Sequence, residues 1–421
     1  MGERVVNMTI RFFVGVWVVR YLGPEQYGVY SYALSFVGLF TAISTLGLDN
    51  IVIRNLSSEE WAEGEVMGTA FTLRMVAGVL TMGAVGATVL SVNDDWTTQL
   101  AVLVVSGQLV FKSADVFKLW FKSEIKSKYP VWVRSGVVMV NSATQVAFIL
   151  LGLPVLAFLV LYLIQSGLKA GGTFLMYQVV SGEGGQGWAF RWSAAQTMMK
   201  DAWPLIFAGL SVAVYMKIDQ VMLGEMVGNS AVGIYATAVK ISELWYFIPT
   251  AVAGSVFPKI VSSKENASEE VYRERMQAFY DAVAILGYLI IVPVALSAGP
   301  LVKLLFGAEY IESSYILRIH IWSFLFVALG VARGKWLIAE NLTKFSMLAA
   351  LLGGFLNAGL NSLLIREYGG VGAAWTTLLS QFVTAYLVCI LIPTLRTQLT
   401  KSLLVPFRIK NAIKLIYKLA K

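Results

Sequence analysis

VMGTAFTLRMVAGVLTMGAVGATVLSV, residues 66–92, carries a single charge, Arg74, in 27 residues. A helix rising about 1.5 Å per residue needs about 20 such residues to cross the hydrocarbon of a bilayer. Blocks of this kind recur from one end of the chain to the other. Hydrophobic residues make up 57% of the 421, charged residues 14%, and the mean hydropathy is +0.70. A soluble domain carries roughly a quarter charged residues, so the charge present is too small to solvate a globular surface. The chain reads as an all-α polytopic membrane protein.

Apolar blocks between short polar loops predict about twelve crossings. They cover residues 4–20, 29–48, 66–92, 97–117, 130–151, 153–176, 202–224, 231–257, 277–298, 314–338, 344–365 and 371–394. The first is short, starts almost at Met1 and contains Arg4 and Arg11. It does not match a cleaved signal ahead of a soluble domain, and the expectation is a first helix lacking its leading turns. Cys389 is the single cysteine and cannot form an internal disulfide; His320, the single histidine, cannot build a His-rich metal site. The net charge of +8 has a use in orientation before any use on nucleic acid, and nucleic acid is not an expected partner.

Lysine and arginine are distributed unequally between the two sets of loops. With the amino terminus cytoplasmic, one set holds Arg54, then Lys118, Lys122, Lys126 and Lys128, then Arg191 and Lys200. Further along it holds Lys259, Lys264, Arg273, Arg275 and Lys344. The opposite loops hold little beyond Arg20, Lys303 and Arg366. The positive-inside rule then places both termini in the cytoplasm of a cytoplasmic membrane. After Arg396, Lys410, Lys414, Lys418 and Lys421 recur at helical spacing, with Ile409, Ile413 and Ile416 on another side. Such a basic amphipathic helix is expected at the interface, drawn to anionic membrane lipids.

The chain contains an internal echo. Gly28-Val29-Tyr30-Ser31-Tyr32-Ala33 opens the second span, and Gly233-Ile234-Tyr235-Ala236-Thr237-Ala238 opens the eighth, 205 residues later. Each follows a Leu-Gly pair, Leu22-Gly23 and Leu223-Gly224. An even number of crossings between them gives both halves one orientation, as in parallel repeats about the membrane normal.

The same segments carry a family resemblance. Arg20-Tyr21-Leu22-Gly23-Pro24-Glu25-Gln26-Tyr27-Gly28, running on to Leu46-Gly47-Leu48-Asp49 and Arg54, resembles the opening signature of the polysaccharide (Wzx-type) flippases of the MOP exporter superfamily. Ile218-Asp219-Gln220-Val221-Met222-Leu223-Gly224, with Val232-Gly233-Ile234-Tyr235 and Phe257-Pro258, is similar to their central signature. Leu305-Phe306-Gly307-Ala308-Glu309-Tyr310 is a third match. The fourth runs from Leu360-Asn361-Ser362-Leu363-Leu364-Ile365 through Tyr368-Gly369 to Gly372-Ala373-Ala374-Trp375; Arg366 stands where members often have proline. The resemblance implies two six-helix lobes around a central cavity opening alternately to each side, a MATE/MOP-like plan. The parts would be a first lobe over 1–180, a cytoplasmic linker over 181–201, a second lobe over 202–395 and the basic cytoplasmic tail over 396–421. It also implies a flippase for polyprenyl-diphosphate-linked oligosaccharide in surface-glycan synthesis, with glycan-assembly machinery as a further partner.

Ionisable side chains at membrane depth cost at least about 2.5–3.5 kcal/mol each, so they face a cavity or a partner. Arg11, Arg74, Lys112, Asp115, Lys217, Asp219, Lys240, Glu243, Arg318 and Arg333 fall in the predicted spans. Bases outnumber acids, which suits an anionic diphosphate: arginine grips phosphate bidentately and lysine acts as a point charge. In the superfamily the first, second, seventh and eighth helices line the cavity. That ranks Arg11, Lys217 and Lys240 first as cargo-binding residues, followed by Arg74 and Arg318. Lys112, Asp115 and Arg333, near predicted ends, read as structural charges. Asp219 and Glu243 are candidates for proton or sodium coupling, and no other cofactor is expected.

Two rivals follow from the same residues. A MATE-like drug/cation antiporter needs acids to dominate its cavity, and here bases do. A membrane glycosyltransferase or polymerase on the same carrier needs extracytoplasmic acids; Asp94-Asp95 qualifies by position, but its loop from Ser91 to Thr98 is too short for a site. The expectation is a transporter without catalytic residues. No GxxxxGK[ST] segment occurs for a nucleotide-driven pump, and Gly182 to Gly187 reads as a flexible linker. The orientation has a direct check: alkaline phosphatase fused after Asp95 should be active and green fluorescent protein fused after Lys421 should fluoresce, whereas the reverse pattern inverts the topology.

Overall fold

The computed structural model describes residues 2–58, 60–182, 187–340, 342–391 and 393–420. Residues 183–186 of the glycine-rich stretch lie outside this set, as do the side chains of Arg4, Lys259, Lys344, Cys389, Lys418 and Lys421. The described residues are helical throughout apart from turns. Hydrocarbon offers backbone N–H and C=O no partner, and a helix satisfies both within one segment.

The first helix, α1 (Gly2–Leu39), carries the first two predicted spans and breaks at Gly23, where φ is 69°. That left-handed backbone is open to glycine at no steric cost, and Pro24 after it has no N–H to contribute. Short α2 (Thr41–Thr45) and α3 (Asp49–Leu56) lead into α4 (Glu63–Val92). The fourth span is assembled from α5 (Trp96–Ser106), α6 (Gln108–Phe111), a 3-10 turn at Lys112–Ala114 and α7 (Asp115–Ser123). Then come α8 (Lys128–Leu150), α9 (Val155–Ser181), α10 (Trp192–Met226), α11 (Asn229–Glu243) and α12 (Phe247–Asn266). The rest is α13 (Glu269–Leu296), α14 (Ala298–Phe306), α15 (Ser313–His320), α16 (Ser323–Ala339), α17 (Thr343–Leu391), α18 (Pro393–Leu403) and α19 (Ile409–Ala420).

Among the described residues, 9 segments are long and apolar enough to cross a membrane, or 10 with the bent pair at the start. Every predicted span falls on one of them, because α1 and α17 each carry two. In α17 the break is at Gly369, with φ 55° and ψ −132°. The protein is therefore a multi-pass membrane protein.

Compact units comprise Met1–Gly233 and Ile234–Lys421. In the first, α1 packs on α5, α8 and α10. The echo found in the sequence has a physical counterpart here. A Cβ built on Gly28 would sit 1.8 Å from the Asn229 carbonyl oxygen, and one on Gly233 would sit 2.0 Å from that of Pro24. The two repeat glycines thus let backbone meet backbone. Elsewhere in this unit Phe117 stacks on Trp188 at 5.5 Å and lies 5.0 Å from Phe174. Ala189 and Arg191 are pinned to α4: Ala189 N–H donates to the Gly64 carbonyl at 3.4 Å and Arg191 N–H to Thr69 Oγ1 at 3.0 Å. Helix α10 begins ten residues before hydropathy places it. Its opening turns are polar enough to hide a span, yet Ala194, Ala195 and Met198 are buried.

In the second unit, α13, α16 and α17 pack together. Arg333 is buried there and donates to the carbonyls of Thr384 and Ala385, a structural use matching its expected role. Helix α19 does not stand free; it packs along α13, with Ala412 buried.

Replacing Gly28 by alanine should lower the melting temperature in detergent, since overpacking costs about 1–3 kcal/mol. Gly83→Ala is the control: nothing lies within 4 Å of its Cβ position, and its melting temperature should hold or rise.

Candidate functional site

A cavity of about 320 Å³ lies within the first unit, between the α6–α7 segment, α8 and α9. Helix periodicity explains its wall: Tyr162, Ser166, Lys169, Ala170 and Thr173 recur at spacings of four, three, one and three on α9, one face of a helix. From α8 come Pro130, Val131, Val133 and Arg134, and from the α6–α7 segment Gln108, Phe111, Lys112, Asp115, Lys118 and Lys122. Five lining residues are basic and one is acidic.

Asp115 is occupied with Lys112, at 3.8 Å. Among the described residues no carboxylate lies within ion-pair distance of Lys118, Lys122, Arg134 or Lys169. Arg11 on α1 interacts electrostatically with Arg134, Tyr162 and Lys169 and adds a further positive charge. Tyr162 donates to Gln108 Oε1 at 3.0 Å, and Asn7 Nδ2 donates to Ser135 Oγ at 2.7 Å, tying α1 to α8 beside Arg134. Like charges gathered on one wall repel, Lys118, Lys122 and Arg134 being exposed to water that screens them and Lys112 and Lys169 half-buried, and a bound anion would offset that repulsion. The wall therefore offers guanidinium forks and ammonium groups with neutral hydroxyl and amide groups alongside. That is the chemistry of a phosphate or carboxylate site.

The residues expected from sequence are distributed as follows. Arg11 is exposed on α1 near this cavity. Arg74 is fully buried, and its Nη2 lies 2.6 Å from Asp49 Oδ1. Lys217 is half-buried with its stem against Gly38. Asp219 is buried and accepts the N–H of Gln220 at 2.9 Å, while Gln220 Oε1 accepts from Ser35 at 2.9 Å. In the second unit Lys240 and Glu243 are half-buried on the last turn of α11. Arg318 is exposed, with its guanidinium 5.8 Å from the Tyr315 ring. None of the bases expected to bind cargo lines the cavity; Arg11 is near enough to Arg134 and Lys169 to interact with them electrostatically.

Sequence reasoning missed Arg134 and Lys169, although both lie inside predicted spans 130–151 and 153–176. Ranking by helix number hid them; listing every charge in every span finds them. Lys112 and Asp115, read as structural, do pair, and both also line the cavity. Asp95 has a helix-end role: its carboxylate caps α5, accepting from Thr98 Oγ1 at 2.6 Å and Thr98 N–H at 2.9 Å. The Thr98 hydroxyl, with the amides of Thr98 and Thr97, holds that carboxyl below its ordinary pKa.

A family model described as "Polysaccharide biosynthesis protein" matches residues 17–315. The probable low-salt glycan biosynthesis flippase Agl15 of Haloferax volcanii is 24% identical over 402 residues, covering 87% of this chain and 77% of that one. Among solved structures, the inward closed conformation of the lipid II flippase MurJ aligns with a TM-score of 0.74 at 14% identity, covering 99% of this chain and 97% of that one. The inward-facing conformation of a multidrug resistance MATE transporter of the MOP superfamily aligns at 0.72 and 13%, covering 94% and 95%. The fold is of the MurJ/MATE kind.

Losing a cap costs about 1 kcal/mol, so Asp95→Ala should melt earlier above neutral pH. A depressed carboxyl pKa adds stability that is present above the unfolded value and lost as acid titrates it. The gap between wild type and variant should therefore close as pH falls through the acid range; a constant gap removes the capping account.

Proposed function

We propose that this chain, which belongs to the polysaccharide biosynthesis protein family, is a flippase carrying a polyprenyl-diphosphate-linked oligosaccharide from the cytoplasmic to the outer leaflet. The observation that carries the reading is the cavity beside Arg11, with Lys112, Lys118, Lys122, Arg134 and Lys169 against one acid. A diphosphate in hydrocarbon faces a solvation barrier of many kcal/mol. Bases fixed along its path replace the lost water as partners, and the glycan hydroxyls need only polar groups such as Tyr162, Ser166 and Gln108. A cationic drug would be repelled from the same wall, which disfavours antiport of such cargo.

In this reading two lobes rock about the cargo by alternating access, with Arg11, Lys217 and Lys240 as contacts along the route. Arg74 and Arg318 take secondary places. Lysine binds phosphate as a point charge without arginine's planar fork, which favours release on the far side. Asp219 and Glu243 are the proposed coupling acids: a carboxylate screened from water can exchange a proton or sodium ion as the route opens and closes. The membrane is the cytoplasmic one, both termini face the cytoplasm, and the glycan-assembly machinery supplies the cargo. No step of this cycle makes or breaks a covalent bond in the cargo.

Purified protein in liposomes should move a polyprenyl-diphosphate oligosaccharide between leaflets. Arg134→Ala and Lys169→Ala, each losing a charge contact worth about 1.5–3 kcal/mol, should slow transfer at least tenfold with unchanged melting temperature; Lys217→Ala and Lys240→Ala should also slow it. Undiminished transfer in Arg134→Ala and Lys169→Ala would take the cavity off the route. No transfer by wild type, alongside export of cationic drugs, would move the chain to the antiporters. Collapsing proton and sodium gradients should slow the wild type, and an unaffected rate would remove Asp219 and Glu243 from coupling.

A further inference from the structure

The last helix, α19, has three faces. At about 100° per residue, Arg408 and Ala412 point one way, and this side packs on α13. Ile409 and Ile413 form a second stripe, and Lys410 and Lys414 a third. Both outer stripes are exposed, and Phe407, just before them, is 89% exposed.

The inner face is fixed by a buried charge. Asp281 on α13 is fully buried, and its Oδ1 accepts from Gln277 Nε2 at 2.8 Å, from Ser402 Oγ at 2.7 Å and from the guanidinium of Arg408. Tyr288 of the same helix donates to the Leu403 carbonyl at 2.8 Å. A carboxylate removed from water costs several kcal/mol unless paired, so Asp281 holds Arg408 in place and sets the rotation of α19. The outer lysines have no such partner: among the described residues neither Lys410 nor Lys414 lies within ion-pair distance of a carboxylate. An isoleucine stripe beside a lysine stripe, both turned away from the protein, is the geometry of a helix at the boundary of acyl chains and anionic headgroups.

We propose that the outer faces of α19 bind anionic phospholipid headgroups, and that the Arg408–Asp281 pair transmits this occupancy to membrane helix α13. Isoleucine and phenylalanine enter the acyl boundary while the ammonium groups meet lipid phosphates. Lipid bound there stabilises the helix orientation in which Asp281 is paired, so it stabilises α13 as well.

The test uses full-length protein in nanodiscs of phosphatidylcholine alone, or with a third replaced by phosphatidylglycerol. An environment-sensitive dye on Ile413→Cys, in a Cys389→Ala background, reports embedding of the stripe. Anionic lipid should shift its emission to the blue and raise the melting temperature of the protein. Lys410→Gln with Lys414→Gln should reduce the embedding equilibrium about 30-fold, from about 1 kcal/mol per basic residue near an anionic surface. Asp281→Asn should keep the dye shift and lose the rise in melting temperature. Identical emission in both lipids, or an undiminished shift in the double-lysine variant, overturns the lipid site. The same shift from inorganic phosphate in phosphatidylcholine discs also overturns it, in favour of a free anion. A wild-type rise in melting temperature in Asp281→Asn overturns the transmission. The lysine variants alter exposed side chains alone, so the lipid test stands even if Asp281→Asn does not fold.

Discussion

A bilayer has no water with which to satisfy a polar atom, and each part of this structure answers to that constraint. Backbone groups close on themselves in helices. Two of the long helices, α1 and α17, break at glycine, at Gly23 and Gly369. Charges obey the same rule with more force. Arg74 meets Asp49, Arg333 meets two carbonyls, and Asp281 meets three donors at once. The Arg134–Lys169 cavity differs in bringing five bases to one wall against a single acid. The structural charges each have a partner within the protein, and the cavity bases are the ones proposed above to find theirs in the cargo.

Hydropathy made the class and the spans legible, since few folds besides a bundle of membrane helices use spans of such low charge at bilayer length, and the two-lobe plan came from the family resemblance. The opening turns of α10 escaped it because residues 192–201 mix polar and small side chains, and the burial of Ala194, Ala195 and Met198 comes from tertiary packing rather than from composition. The echo at Gly28 and Gly233 was legible as a pattern, but its meaning as a backbone contact required coordinates. Position in the order of helices pointed to other residues than those that line this cavity. It favoured Lys217 and Arg11 and passed over Lys169 and Arg134, which are brought together by side-chain direction on α8 and α9. Which of several charges share one space depends on helix rotation, and rotation is set by packing. The tail shows the same limit: two faces were readable from the lysine and isoleucine periods, while the third became visible only through Asp281, more than a hundred residues earlier in the chain.

The contact at Gly28 and Gly233 bears on how such chains diverge. Backbone atoms touching backbone atoms leave no side chain to trade for another, so drift has nothing there to work on. Lysines around a cavity are different, because a charge can migrate one turn along a helix and still face the same space. Residue strings that mark kinship at long distance will therefore tend to record how the helices are assembled. On the proposed reading the cargo is written in a looser script, in the sum of charge around a hollow, which would leave two relatives with the same strings free to exchange one cargo for another.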